Sequence, residues 1–90
     1  MRIARRFYVR GMVQGVGFRY FTLDVACTLG LNGFVRNLPD GRVEVWAEGV
    51  PRAIEQLRAQ LSRGPAGSQV SEITDETAEA TGEHPGFRIL

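Results

Sequence analysis

An α+β sandwich follows from three features of this chain. Alternating residues lead into a glycine-rich turn, a hairpin stands at the centre, and two segments with apolar residues at helical spacing follow the first strand and the hairpin. Read in order, these give β-α-β-β-α-β. Right-handed crossovers fold that order into one antiparallel sheet with two helices on one face.

Residues 5–13 place Phe7, Val9, Gly11 and Val13 on one side and Arg6, Tyr8, Arg10 and Met12 on the other, which predicts a strand with one buried face. Phe21, Val25, Ala26 and Leu29 then recur at helical spacing, and Gly30 stands where a left-handed cap belongs, with Leu31 behind it. A helix over roughly 20–30 is expected, with Cys27 as a small packed side chain inside it. Gly33 to Asn37 is a short strand. In the turn Leu38-Pro39-Asp40-Gly41, Pro presets φ, Asp bonds local backbone and Gly takes the left-handed position. The return strand alternates Val43, Val45 and Ala47 against Glu44, Trp46 and Glu48, and ends at Gly49. Pro51 opens a second helix whose apolar face is Ile54, Leu57 and Leu61, and Gly64-Pro65 stops it. Val70 to Thr77 is a strand in which Val70 and Ile73 break strict alternation, the mark of a bulge. Residues 78–86 read as a loop, and Phe87 to Leu90 as a closing strand segment. This is the ferredoxin-like sandwich in a single domain over residues 1–90, a frame that serves binding modules and enzymes alike.

The stretch Gly11 to Arg19 joins the first strand to the first helix and has the properties of an anion cradle. Gly15 and Gly17 permit positive φ and close backbone approach, so successive N–H groups can converge on one guest. A helix start and the Arg19 guanidinium add to the same place. Two familiar phosphate motifs are excluded by position. A dinucleotide fingerprint requires Gly where Tyr20 stands, and a P-loop requires a lysine that this chain lacks altogether. From spacing alone, a plain glycine-rich chain reversal remains open.

Composition limits the chemistry further. One cysteine, Cys27, and one histidine, His84, supply neither an intrachain disulfide nor a usual zinc site. No apolar run is long enough for a signal peptide or a membrane span, so a cytoplasmic protein without a membrane partner is expected. The net charge of +1 hides a division: residues 1–42 carry seven Arg against two acids, and residues 43–90 four Arg against eight. The cradle lies in the basic half, where a positive field would steer anions.

Two motifs taken together suggest a family. Val9-x-Gly11-x-Val13-Gln14-Gly15-Val16-Gly17-Phe18-Arg19 and Gly33-Phe34-Val35-Arg36-Asn37-x-x-x-Gly41-x-Val43 resemble the two signatures of the acylphosphatases. The likeness extends over nearly the whole chain. It implies a free-standing small hydrolase that cleaves acyl phosphates to carboxylate and inorganic phosphate, without metal or cofactor. By the same resemblance Arg19 binds phosphate, Asn37 orients the attacking water, and the amides of Gly15, Val16, Gly17 and Phe18 form the cradle. Phe34 stands where many members carry Trp.

That chemistry suits a chain without a metal site, a nucleophilic side chain or a histidine at recognisable spacing. The leaving group of an acyl phosphate is a carboxylate of pKa about 4–5, so it departs unprotonated. Holding the phosphoryl oxygens and aiming one water suffices. A non-catalytic binding module is the rival reading, for a small molecule, a protein or single-stranded nucleic acid. Arg6, Tyr8, Arg10, Arg42 and Trp46 could form a basic aromatic patch on the open sheet face. Against nucleic acid stands position: in the RNA-recognition module the Gly-rich aromatic run lies on the third strand, whereas here it enters a helix. The expected partners are therefore a small acyl phosphate and inorganic phosphate, the expected state a monomer, and no nucleic acid is expected.

Overall fold

The computed structural model describes residues 1–90. Its elements are β1 (Ile3–Met12), α1 (Phe18–Thr28), β2 (Asn32–Asn37), β3 (Val43–Gly49), α2 (Pro51–Arg63), β4 (Gln69–Glu79) and β5 (Phe87–Ile89). The strands form one sheet in the order β4-β1-β3-β2-β5. β1 is antiparallel to β3 and to β4, and β2 is antiparallel to β3, which is the expected sandwich. The closing strand departs from the all-antiparallel expectation, because β5 pairs with β2 in parallel. β4 ends with Glu79 opposite Ile3, at the end of the sheet where β2 begins. Residues 80–86 cross to the far edge at that same end, so β5 has to start beside the start of β2.

One core joins the layers. Phe7, Val9, Val35, Val43, Val45 and Ala47 rise from the sheet to meet Phe18 and Ala26 of α1 and Ile54, Leu57 and Leu61 of α2. Truncating any of the large members to Ala leaves a cavity, at about 2–5 kcal/mol each. The bulge falls where broken alternation puts it: Arg10 opposes Glu72 and Gly11 opposes Val70, which leaves Ser71 as the extra residue. That single insertion lets Val70 and Ile73 both reach the core.

α1 starts two residues earlier than its apolar pattern suggests. Its buried stripe is Phe18, Thr22 and Ala26, whereas Phe21, Val25 and Leu29 lie at the margin. Thr22 hides from a hydropathy reading, yet its hydroxyl donates to the Phe18 carbonyl at 2.9 Å, so it is satisfied within the helix. Cys27 is exposed rather than packed, because it points away from this stripe. The C-terminus is as expected. Leu31 N–H reaches the Ala26 carbonyl and Gly30 N–H the Cys27 carbonyl, the paired bonds of a Schellman cap, with Gly30 at φ 70°.

The face of the sheet opposite the helices is only partly open. Glu44 and Glu48 on β3, which alternation assigns to solvent, are both buried there. Glu44 lies between Arg6 and Arg36. Glu48 accepts from the Trp46 indole at 2.7 Å, the Thr81 hydroxyl at 2.7 Å, and the Thr81 and Gly82 amides at 3.0 Å each. These bonds hold the 80–86 crossing against the sheet. Burial by itself would raise the Glu48 pKa, but the bonds from Thr81, Trp46 and Gly82 to the charged form outweigh it and bring the value down to about 2 from an ordinary 4.5.

A depressed carboxylate pKa stabilises the fold above the unfolded value and loses that contribution as pH falls through the folded value. Stability linked to Glu48 is therefore present above about pH 4.5 and gone near pH 2. The span corresponds to a contribution on the order of 3 kcal/mol. Thermal midpoints of wild type and Glu48→Gln are expected to differ at pH 6 and to converge as pH drops from 4.5 toward 2. Parallel curves across that window would show that Glu48 is not the linked group.

Candidate active site

Strand direction decides where the site lies. β1 and β2 are both antiparallel to β3, so they run parallel to each other and their C-terminal ends share one edge of the sheet. In register, Val9 opposes Val43 and Val43 opposes Asn37, which makes one rung across three strands. Val9, Val43 and Val35 are buried on the helix side, and the two-residue period puts the Asn37 side chain on that side too. The loop leaving β1 emerges at the same edge. Two motifs far apart in the chain thus meet beneath the start of α1.

The loop is shaped by two glycines. Gly15 has φ 77° and Gly17 φ 79°, values that a residue with a Cβ seldom adopts. A Cβ at either position would touch nothing, so the requirement is conformational rather than steric. Gly17 is the N-cap of α1 and provides no side-chain cap, and the first turn holds no acid. Phe21 N–H donates to the Gly17 carbonyl and closes the first turn, yet none of the amides from Gly15 to Tyr20 finds an acceptor within the chain. Because α1 begins at Phe18, the amides of Arg19 and Tyr20 join those of the cradle. Unpaired donors and the positive end of a helix dipole favour an anion at this spot.

A pocket of about 130 Å³ opens here, lined by Val13, Gly15, Gly17, Phe18, Arg19, Tyr20 and Asn37. Arg19 forms none of the ion pairs that engage Arg5, Arg6, Arg10, Arg36, Arg42 and Arg58, so its guanidinium is uncommitted. Asn37 Oδ1 is buried and has no hydrogen-bond partner. A buried acceptor of that kind costs about 1–3 kcal/mol unless something donates to it. The pocket therefore combines a cation, converging amides and one acceptor aimed inward. A tetrahedral oxyanion with a water beside it matches that set. A wider groove of about 450 Å³ between α1 and α2, lined by Asp24, Thr28, Gln56 and Gln60 among others, holds no cation.

No local pattern in the sequence points to Gln14. Its side-chain amide donates to the Leu38 and Arg42 carbonyls, 2.9 Å each, and so ties the cradle loop to the turn just beyond Asn37. Only its place between Val13 and Gly15 hinted at a role, since its partners lie 24 and 28 residues away in the chain.

The residues of the rival reading are otherwise engaged. Arg6 lies over Trp46 at 4.9 Å and Arg42 over Tyr8 at 4.5 Å, so guanidinium groups already occupy the aromatic faces. Arg6 pairs with Glu44, Arg42 with Asp40 and Arg10 with Glu72. No group of three or more His, Cys, Asp or Glu side chains converges anywhere in the chain. No helix is long and apolar enough to cross a membrane.

Comparison with known proteins shows a family. A family model described as Acylphosphatase matches residues 5–89. An acylphosphatase of Synechococcus sp. (strain WH7803) is 54% identical over 77 residues, which cover 86% of this chain and 77% of that one. One from Solibacter usitatus (strain Ellin6076) is 51% identical over 86 residues, 96% of this chain and 88% of its own. Among solved structures, the acylphosphatase from Bacillus subtilis superposes with a TM-score of 0.94 at 38% identity, over 98% of each chain.

The two Gln14 bonds yield a test of how the pocket is held. Gln14→Ala is expected to weaken binding of inorganic phosphate and to lower stability by about 1 kcal/mol, or about 4–8 °C in Tm. Gln14→Glu keeps the shape but cannot donate to two carbonyls, so phosphate should bind more weakly still. Titration calorimetry with phosphate, beside thermal melts, checks both. Unchanged phosphate affinity with a lowered Tm would reduce Gln14 to a structural tether.

Proposed function

The chain belongs to the acylphosphatase family and hydrolyses acyl phosphates to a carboxylate and inorganic phosphate, and from that premise we propose that the pocket at the shared end of β1 and β2 is its active site. Arg19 and the amides of Gly15, Val16, Gly17 and Phe18 hold the phosphoryl oxygens. Asn37 aims the water. The observation that carries this reading is the buried, unpartnered Asn37 Oδ1 lining the same pocket as the uncommitted Arg19.

The division of labour follows from the bond being cleaved. Water attacks phosphorus in line with the bridging oxygen, the bond from phosphorus to that oxygen breaks, and the electron pair leaves with the carboxylate. A leaving group of pKa about 4–5 needs no proton. The proton of the attacking water passes to the phosphate product, which accepts it readily at neutral pH. What the protein adds is position and charge. Arg19 presents a planar fork to two phosphoryl oxygens, and the amides at the start of α1 meet the rest. Asn37 accepts from the water through Oδ1, so it orients the nucleophile without titrating. No cofactor has a step here, the partners are a small acyl phosphate and phosphate, and a cytoplasmic monomer that binds no nucleic acid fits the reading.

Three outcomes are expected. Arg19→Ala should lower kcat/KM for a synthetic acyl phosphate such as benzoyl phosphate by about 10²–10³-fold and weaken inhibition by phosphate, with only partial rescue by Arg19→Lys. Asn37→Ala should lower kcat by a similar factor while leaving the phosphate inhibition constant within a few fold. Activity should persist in EDTA. Near-wild-type kcat in a folded Asn37→Ala enzyme would remove that residue from the mechanism, and activity lost in EDTA and restored by a divalent cation would mean a different one.

A further inference from the structure

We propose that Tyr20 is the surface on which the acyl group of the substrate rests, and that it biases the enzyme toward acyl phosphates with aromatic or broad apolar acyl groups. This inference rests on the reading of the site given above and extends it from the phosphoryl group to the part of the substrate that leaves.

Three observations lead to it. The first is size. A pocket of about 130 Å³ has room for a few water-sized groups, which a phosphoryl group and one water fill. The acyl substituent has to lie outside it. The second is direction. Attack and departure are in line, so the leaving group points away from the water. Asn37 Oδ1 is buried, which places the water at the closed end and sends the acyl group toward the mouth.

The third is what stands there. Of the residues lining the pocket, Val13 and Phe18 are buried, Arg19 is charged and Asn37 is polar, whereas Tyr20 has a side chain apolar in body and is 66% exposed. It follows Phe18 by two positions in the first turn of α1. At about 100° per residue, a helix that turns Phe18 into the core turns Tyr20 away from it. Its ring contributes nothing to the core and makes none of the aromatic pairs or cation–π contacts found elsewhere in the chain. An exposed aromatic ring with no partner of its own, on a residue that lines this pocket, can stack with a flat acyl group and gains little from a methyl.

The test compares two substrates and two stable analogues. Benzoyl and acetyl phosphate report turnover. Phenacylphosphonate and acetonylphosphonate, in which carbon replaces the bridging oxygen, report binding as competitive inhibitors. Wild type is expected to prefer the aromatic member of each pair. Tyr20→Ala should reduce both preferences by about three- to tenfold, and Tyr20→Phe should preserve them because the ring and not the hydroxyl makes the contact. Circular dichroism confirms that both variants are folded. Preferences unchanged in Tyr20→Ala, or no aromatic preference in wild type, would overturn this proposal and leave the assignment of Arg19 and Asn37 standing. A wild-type enzyme that hydrolyses neither acyl phosphate would overturn both.

Discussion

Everything at the site depends on β3 lying between β1 and β2. Because β3 is antiparallel to each, its neighbours are parallel to one another, and whatever leaves the C-terminal ends of both must meet at one edge. The rung Val9, Val43, Asn37 makes the consequence concrete. Two valines fill the core side of the sheet, and the third position on that side, nearest the rim, carries an amide. A one-residue slip of β2 against β3 would turn Asn37 to the other face and Arg36 toward the pocket. Register therefore shapes the pocket as well as the packing, and the buried Val35 and Val45 hold it.

Backbone groups supply most of the polarity of the pocket. Left-handed glycines at 15 and 17 turn the chain so that α1 begins without a cap, and a helix with no cap is a cluster of unsatisfied donors. Left alone, such a start frays. Here Phe18 anchors the first turn in the core and Gln14 clamps the loop to the hairpin, so the donors stay in place while remaining unpaired. Preorganised dipoles of this kind need no rearrangement as charge develops on a transferring phosphoryl group.

Charge elsewhere is arranged so that it does not compete. The basic N-terminal half carries seven arginines, yet Arg5, Arg6, Arg10, Arg36 and Arg42 are engaged by carboxylates from Asp40, Glu44, Glu55, Glu72 and Asp75. Most of those acids belong to the later half, so folding brings the two halves together and cancels much of the division seen in the linear sequence. Arg19 escapes because it leaves the sheet and enters α1, where no acid stands in the first turn. Exposed ion pairs add little stability in themselves. Their effect is to leave one uncommitted guanidinium at the mouth of the pocket.

Arg19 and Asn37 come forward as site residues through the resemblance to the acylphosphatase motifs, whereas the sequence by itself determined the elements, the Gly30 cap, the bulge near Val70, and the glycine turn at Gly15 and Gly17. All of these are written in short-range terms: a period of two or about four, a φ that only glycine adopts easily, a cap read within one turn. The tertiary structure alone decided which donors and acceptors were satisfied. The Gln14 clamp, the burial of Glu44 and Glu48, the exposure of Cys27 and the parallel pairing of β5 each depend on a neighbour brought in from elsewhere in the chain. Glu48 shows the reason most directly. Alternation assigns it to solvent, and only the return of Thr81 and Gly82 from beyond β4 turns that position into a buried, fully bonded carboxylate. Local preference sets which way a side chain points, but what it meets there is set by topology.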